Sequence, residues 1–121
     1  MTDDKREAIK AAIADALDRR RGIRKPLCVP AGMVVAGKQL TARTVDIGAR
    51  GLAIEVDEAL AAKAECYVVL TLPVDGHGHM LRLQACVTHA MRSSTHGFRV
   101  GLELINISAE NARLIEQFLA A

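Results

Sequence analysis

Met80-Leu81-Arg82-Leu83-Gln84-Ala85-Cys86-Val87-Thr88 decides the fold class. Leu81, Leu83, Ala85 and Val87 fall on one side of an extended chain, and Arg82, Gln84, Cys86 and Thr88 on the other. Period two marks a strand with one face in a core and one in water. The alternation continues to Met91 and stops at the turn residues Ser93-Ser94-Thr95. Beyond them Phe98, Val100, Leu102 and Leu104 alternate with Arg99, Gly101 and Glu103. Upstream, Asp75-Gly76 is a turn signal. It follows a β-branched and aromatic run, Cys66–Leu72, that ends at Pro73. Residues 57–65 read as a polar, alanine-rich connection, and Gly51–Val56 as a strand. In Gln39–Val45, Leu40, Ala42 and Thr44 share one side. Leu27–Val35 is apolar but broken by Pro30, which predicts an edge strand or a bulge. Six short strands joined by turns predict an antiparallel sandwich or small barrel.

A helix is expected at each end. Over residues 3–18, Ile9, Ile13 and Leu17 recur every four positions beside Ala12 and Ala16, an amphipathic pattern at helical period. Asp3 or Asp4 suits its start. That stripe fits docking on the strands or on a partner subunit, so a monomer and a homodimer are both open. Ser108 is a good N-cap for a closing helix with Ala112, Ile115, Phe118 and Leu119 on one face. Its apolar face would plug the open end of the sheet.

Composition excludes several classes. The chain has 121 residues, enough for one domain with a core that needs no disulfide. Two Phe, one Tyr and no Trp leave little surface on which bases of a single strand can stack. A net charge of +2 is low for a protein that coats nucleic acid, so no nucleic-acid polymer is expected as partner. Three scattered cysteines without a CxxC pair fit a reducing cytoplasm. The acidic and then mixed-charge start is unlike a signal peptide, and no apolar run approaches the roughly 20 residues of a membrane span. His77-Gly78-His79 invites a zinc reading, but the spacings to His89, His96, Cys66 and Cys86 match no closed site, so no metal is expected. No side chain has the sequence context of an activated nucleophile or a paired acid and base, so no enzyme is expected.

The chemistry concentrates in two stretches. The first is Arg19-Arg20-Arg21-Gly22-Ile23-Arg24, and the second is Asp46-Ile47-Gly48-Ala49-Arg50-Gly51. Arginine's planar fork binds phosphate oxygens, the O6 and N7 edge of guanine, and base faces. Asp46 accepts hydrogen bonds, as guanine's N1–H and N2–H₂ require. Gly48 and Gly51 allow close backbone approach to a ligand.

The pair of stretches resembles the PilZ family signature, Arg-Arg-x-x-x-Arg followed by Asp-x-Ser-x-x-Gly. Arg19, Arg20 and Arg24 match the first motif, and Asp46 and Gly51 the second. The tail Gly97-Phe98-Arg99-Val100-Gly101-Leu102-Glu103-Leu104 with its closing helix is also similar to the family. The resemblance covers residues 18–121, with the helix of residues 1–18 outside the PilZ domain of 19–121. It implies a six-stranded antiparallel β-barrel with an N-terminal and a C-terminal helix. It also implies a bacterial, cytoplasmic receptor for cyclic di-GMP, without other cofactor.

By that resemblance the arginines clamp phosphates and guanine edges, from a flexible lead-in that folds over the nucleotide. Asp46 holds a guanine, and Arg19 favours an intercalated ligand dimer. An effector protein reads the changed surface. The family serine is Gly48 here, which removes a hydroxyl contact, loosens the loop and implies weaker binding. A PilZ module that binds protein and no nucleotide is the alternative.

Overall fold

The computed structural model describes residues 22–93 and 97–121. The helix expected over residues 3–18, Arg19, Arg20 and the turn at Ser94-Thr95 lie outside them. Seven strands and one helix follow in order: β1 (Arg24–Pro26), β2 (Pro30–Val35), β3 (Lys38–Gly48), β4 (Gly51–Val56), β5 (Glu65–Val74), β6 (His77–Arg92), β7 (Phe98–Ile105) and α1 (Ala109–Ala120). All pairings are antiparallel. The order β3-β2-β5-β6-β7-β4 closes into a ring because β4 pairs with β3 as well as with β7. The protein is thus mostly β with a C-terminal helix.

Two hairpins turn on residues with positive φ. Asp75 (52°) and Gly76 (77°) join β5 to β6, as the Asp-Gly pair predicts, and Ala36 (51°) and Gly37 (75°) join β2 to β3. Both central residues in the left-handed region is the geometry whose twist matches that of the flanking strands.

The alternating apolar positions fill the ring. Leu81, Leu83, Ala85 and Val87 are buried from β6, as are Val68, Leu70 and Leu72 from β5. Val100, Leu102 and Leu104 come from β7, and Leu52, Ile54 and Val56 from β4. Ile115 of α1 is fully buried, with Leu114, Phe118 and Leu119 packed beside it against the core. Ser108 caps α1 as expected, its Oγ accepting from Asn111 N–H at 3.1 Å.

The structure corrects several details of the sequence reading. Six strands were expected and seven form, because Arg24–Pro26 is a strand and not a loose lead-in. It pairs with the far end of β3: Arg24 opposite Gly48, Lys25 opposite Ile47, Pro26 opposite Asp46. Residues 24–35 therefore run along β3 in two pieces, split at 27–29. Pro30 opens β2, where its missing N–H is tolerated, and β2 lies between β3 and β5 instead of at an edge. Pro73 does not end β5. It sits opposite Gly78, beyond the last β5 residue paired with β2, so its lack of a donor leaves no ladder bond unmade. The three cysteines, whose alternation with strand residues suggests buried small apolar fillers, differ in burial: Cys66 is buried, Cys86 is half-buried and Cys28 is exposed.

A single buried polar side chain holds the split in place. Thr44 is 1 % exposed. Its hydroxyl accepts from Val29 N–H at 2.9 Å and donates to Leu27 C=O. Backbone bonds Leu27 N–H to Val45 C=O (3.0 Å) and Thr44 N–H to Val29 C=O (2.9 Å) flank it. The polar groups freed by the break between β1 and β2 are thus satisfied without water.

Candidate functional site

The β1–β3 pairing brings the two chemical stretches together. Asp46 and Gly48 belong to the end of β3, not to a loop, and a bulge between Thr44 and Asp46 shifts the register just before them. Arg24 reaches diagonally across to Asp46. Its Nε donates to Oδ1 at 2.7 Å, and Nη2 lies 2.6 Å from the same oxygen. Both contacts use Oδ1, and the two side chains are 42 % and 33 % exposed. A pair this exposed is worth little in stability and rearranges cheaply.

The guanidinium rests on glycine. A Cβ on Gly51 would lie 2.9 Å from Arg24 Nη1 and 3.2 Å from Leu102 C=O. A Cβ on Gly48 would lie 3.2 Å from Ile23 C=O and 3.3 Å from Arg24 Cγ. Gly51 therefore makes room for the arginine head and Gly48 for its stem. The loosened loop expected from glycine at position 48 is absent, since Gly48 is buried and paired in a strand.

An open cleft of about 290 Å³ lies over this arrangement, lined by Gly22, Arg24, Gly48 and Gly51 together with Arg50, Thr88 and Glu103. Its volume is at the small end for ligand sites, enough for a base and its phosphate. Of the six residues singled out from sequence, Arg24, Gly48 and Gly51 line the cleft, and Asp46 is bonded to one of its walls. Arg19 and Arg20 lie outside the described residues.

Sequence reasoning missed Thr88 and Glu103. Thr88 reaches the cleft because β6 is irregular between Val87 and His89, and its hydroxyl donates to Gly101 C=O at 3.0 Å. No periodic pattern announces such a bulge. Glu103 stands opposite Gly51 in the β4–β7 ladder, a neighbour visible only once that register is known.

A second link leaves the site from Lys25. Its Nζ donates to Phe118 C=O at 3.1 Å and also to Ala121 C=O, and lies 5.5 Å from the Phe118 ring centre. The last turn of α1 has no basic residue of its own, so Lys25 supplies the cation that helix C-termini favour.

Elsewhere the chemistry is sparse. Among the described residues no group of three or more His, Cys, Asp or Glu side chains is placed to hold a metal ion. No helix among them is long and apolar enough to cross a membrane.

Comparison with known proteins adds the following. A model of the PilZ domain matches residues 18–121. No curated protein matches the chain. Among solved structures, the Bacillus subtilis inhibitor of motility MotI/DgrA superposes with a TM-score of 0.70 at 16% identity, covering 81% of this chain and 48% of that one. This chain thus spans about half the length of that protein. The PilZ domain of CeSA from a cellulose-synthesizing bacterium gives 0.58 at 18% identity, covering 80% and 94%. The PilZ domain of Escherichia coli YcgR, solved with c-di-GMP, gives 0.57 at 14% identity, covering 81% and 85%. At these identities the structures speak for a shared fold. With the family model matched from residue 18 to residue 121, the chain belongs to the PilZ domain family.

Proposed function

We propose that the protein is a cytoplasmic receptor for cyclic di-GMP and acts by regulation, not catalysis. The observation that carries this reading is the convergence of Arg24, Gly48 and Gly51, from two stretches far apart in sequence, on one open cleft, with Asp46 bonded to the Arg24 guanidinium. Arg24 binds phosphate or a guanine edge, and Arg19 and Arg20 close over the ligand from the lead-in. Asp46 uses Oδ2, which the Arg24 contacts leave over, to accept from guanine N1–H and N2–H₂. Gly48 and Gly51 let the ligand approach the backbone. The site admits an intercalated ligand dimer only if Arg19 joins it.

Ligand on Arg24 also bears on Lys25, the next residue of β1, and through it on the end of α1. That is a route from nucleotide to a surface that an effector protein reads. For such a route to transmit anything, the nucleotide must bind one arrangement of β1 and α1 better than another.

Calorimetry with cyclic di-GMP tests the proposal. Arg24→Ala removes charge-assisted bonds of about 1.5–3 kcal/mol, so affinity falls about ten- to hundredfold. Gly51→Ala pushes the guanidinium aside and weakens binding in the same direction while the ring stays folded. Absence of heat from the wild type at high micromolar nucleotide sinks the proposal.

A second reading is favoured by one observation. Arg24 and Asp46 already satisfy each other, and Gly48 lacks the family hydroxyl. A protein-interaction module that needs no nucleotide fits these facts. Equal capture of partners with and without cyclic di-GMP would support it.

A further inference from the structure

The cleft over Arg24 has two unlike walls. On one stands the Arg24 guanidinium, which only donates. On the other stand Glu103 and Thr88, both exposed. Glu103 is the only carboxylate among the described residues that line the cleft. It falls between the buried Leu102 and Leu104 of β7, so its side chain points out of the ring. It is directly opposite Gly51 in the β4–β7 ladder, and opposite residues of an antiparallel pair share a face. The Arg24 head stands on that same face, where a Gly51 side chain would be. Arginine and glutamate thus flank the space that Gly51 leaves empty. They do not bond to each other. Arg24 is engaged with Asp46, and the Glu103 carboxylate has no hydrogen bond or ion pair among the described residues. Thr88 adds a second acceptor. Its proton goes to Gly101 C=O at 3.0 Å, and its oxygen keeps a lone pair beyond the 3.1 Å contact with His89 Nδ1.

Given the cyclic di-GMP reading of this cleft, on which this rests, we propose that Glu103, with Thr88 beside it, reads a guanine that Asp46 does not. The ligand carries two guanines, and Asp46 does not line the cleft. With Oδ1 taken up by Arg24, Asp46 has one oxygen left for one base. The other base needs acceptors of its own. Guanine presents O6 and N7 as acceptors and N1–H and N2–H₂ as donors, on different edges of one plane. A slot with an arginine on one side and a carboxylate on the other meets both edges. The two oxygens of Glu103 match N1–H and N2–H₂ as a pair, as the arginine fork matches O6 and N7. Adenine fails at both walls, because its N6 amine meets the arginine and its N1 is an acceptor facing the carboxylate. Gly48 lacks the family hydroxyl, and Thr88 brings one into the same cleft from β6.

The test is calorimetry with two ligands, cyclic di-GMP and cyclic di-IMP, whose hypoxanthine bases lack the N2 amine. Wild type, Glu103→Gln and Thr88→Val are compared, with far-UV circular dichroism confirming an intact sheet. Glu103→Gln keeps one acceptor oxygen and sets an amide donor against a guanine donor. Cyclic di-GMP should bind this variant about ten- to hundredfold more weakly than the wild type, and the preference for cyclic di-GMP over cyclic di-IMP should shrink about tenfold. Thr88→Val removes a neutral bond and should weaken cyclic di-GMP about two- to tenfold. Wild-type binding of cyclic di-GMP with affinity and base preference both unchanged in Glu103→Gln overturns this assignment and leaves the receptor reading standing. Tighter binding of both ligands by Glu103→Gln overturns it too, because the carboxylate then does no more than repel phosphate. No binding by the wild type removes the receptor reading and this one with it.

Discussion

Thr44 is the residue on which the position of Arg24 depends. Its hydroxyl serves Val29 N–H and Leu27 C=O, and so fixes the break that lets β1 pair with the end of β3. Thr44→Val keeps the shape but leaves both backbone groups buried without that partner, at a cost of about 1–3 kcal/mol. Denaturant unfolding should show this loss, with the slope unchanged from wild type. From the sequence Thr44 was legible as an inward position of β3, since it alternates with Thr41, Arg43 and Val45. Its second role was not, because a hydroxyl that bridges a strand break leaves no periodic trace. Gly48 shows the same limit. The motif exposed it as a departure from the family serine, but its packing against the Arg24 stem depends on a pairing the local sequence does not encode.

At the scale of elements, strands are legible where one face is buried and helices where a cap stands before a periodic face. β6, β7 and the cap of α1 follow that rule, and the Asp-Gly hairpin follows turn chemistry. β1 escapes it, being only three residues long and half solvated, without alternation. Of the candidate site, the residue types and their spacing were legible. The ion pair that joins them and the contribution of Thr88 were not, since both arise from register. The bond from Lys25 to the end of α1 is likewise a product of tertiary structure. Lys25→Ala should loosen the last turn of α1 by about 0.3–1 kcal/mol. Amide exchange from residues 118–121 should then quicken while β5 and β6 exchange as before.

For the whole molecule, the closed ring makes stability a collective property that a single buried thiol can report. Burial, with Cys86 nearby, pushes the Cys66 thiol from 9.0 up to about 11. The folded state holds this proton longer than the unfolded chain does. The thiol's contribution to stability is therefore whole below pH 9 and is lost as pH rises through 11. Between those limits the wild type should lose on the order of 2 kcal/mol that Cys66→Ala does not lose. Unfolding measured at pH 8 and pH 11 compares the two slopes, and parallel slopes would remove Cys66 from the account.

The ring also settles where another chain can zip onto this one. Strand edges are templates for aggregation and for partners that add a strand of their own, and closing β4 onto β3 spends those edges internally. Among the described residues only β1 has a partner on one side alone. Its free margin is three residues long, carries Arg24 and Lys25, and ends in Pro26, a short, charged and proline-terminated stub. The protein thus guards itself against self-templating at the same spot where it is most open to a visitor.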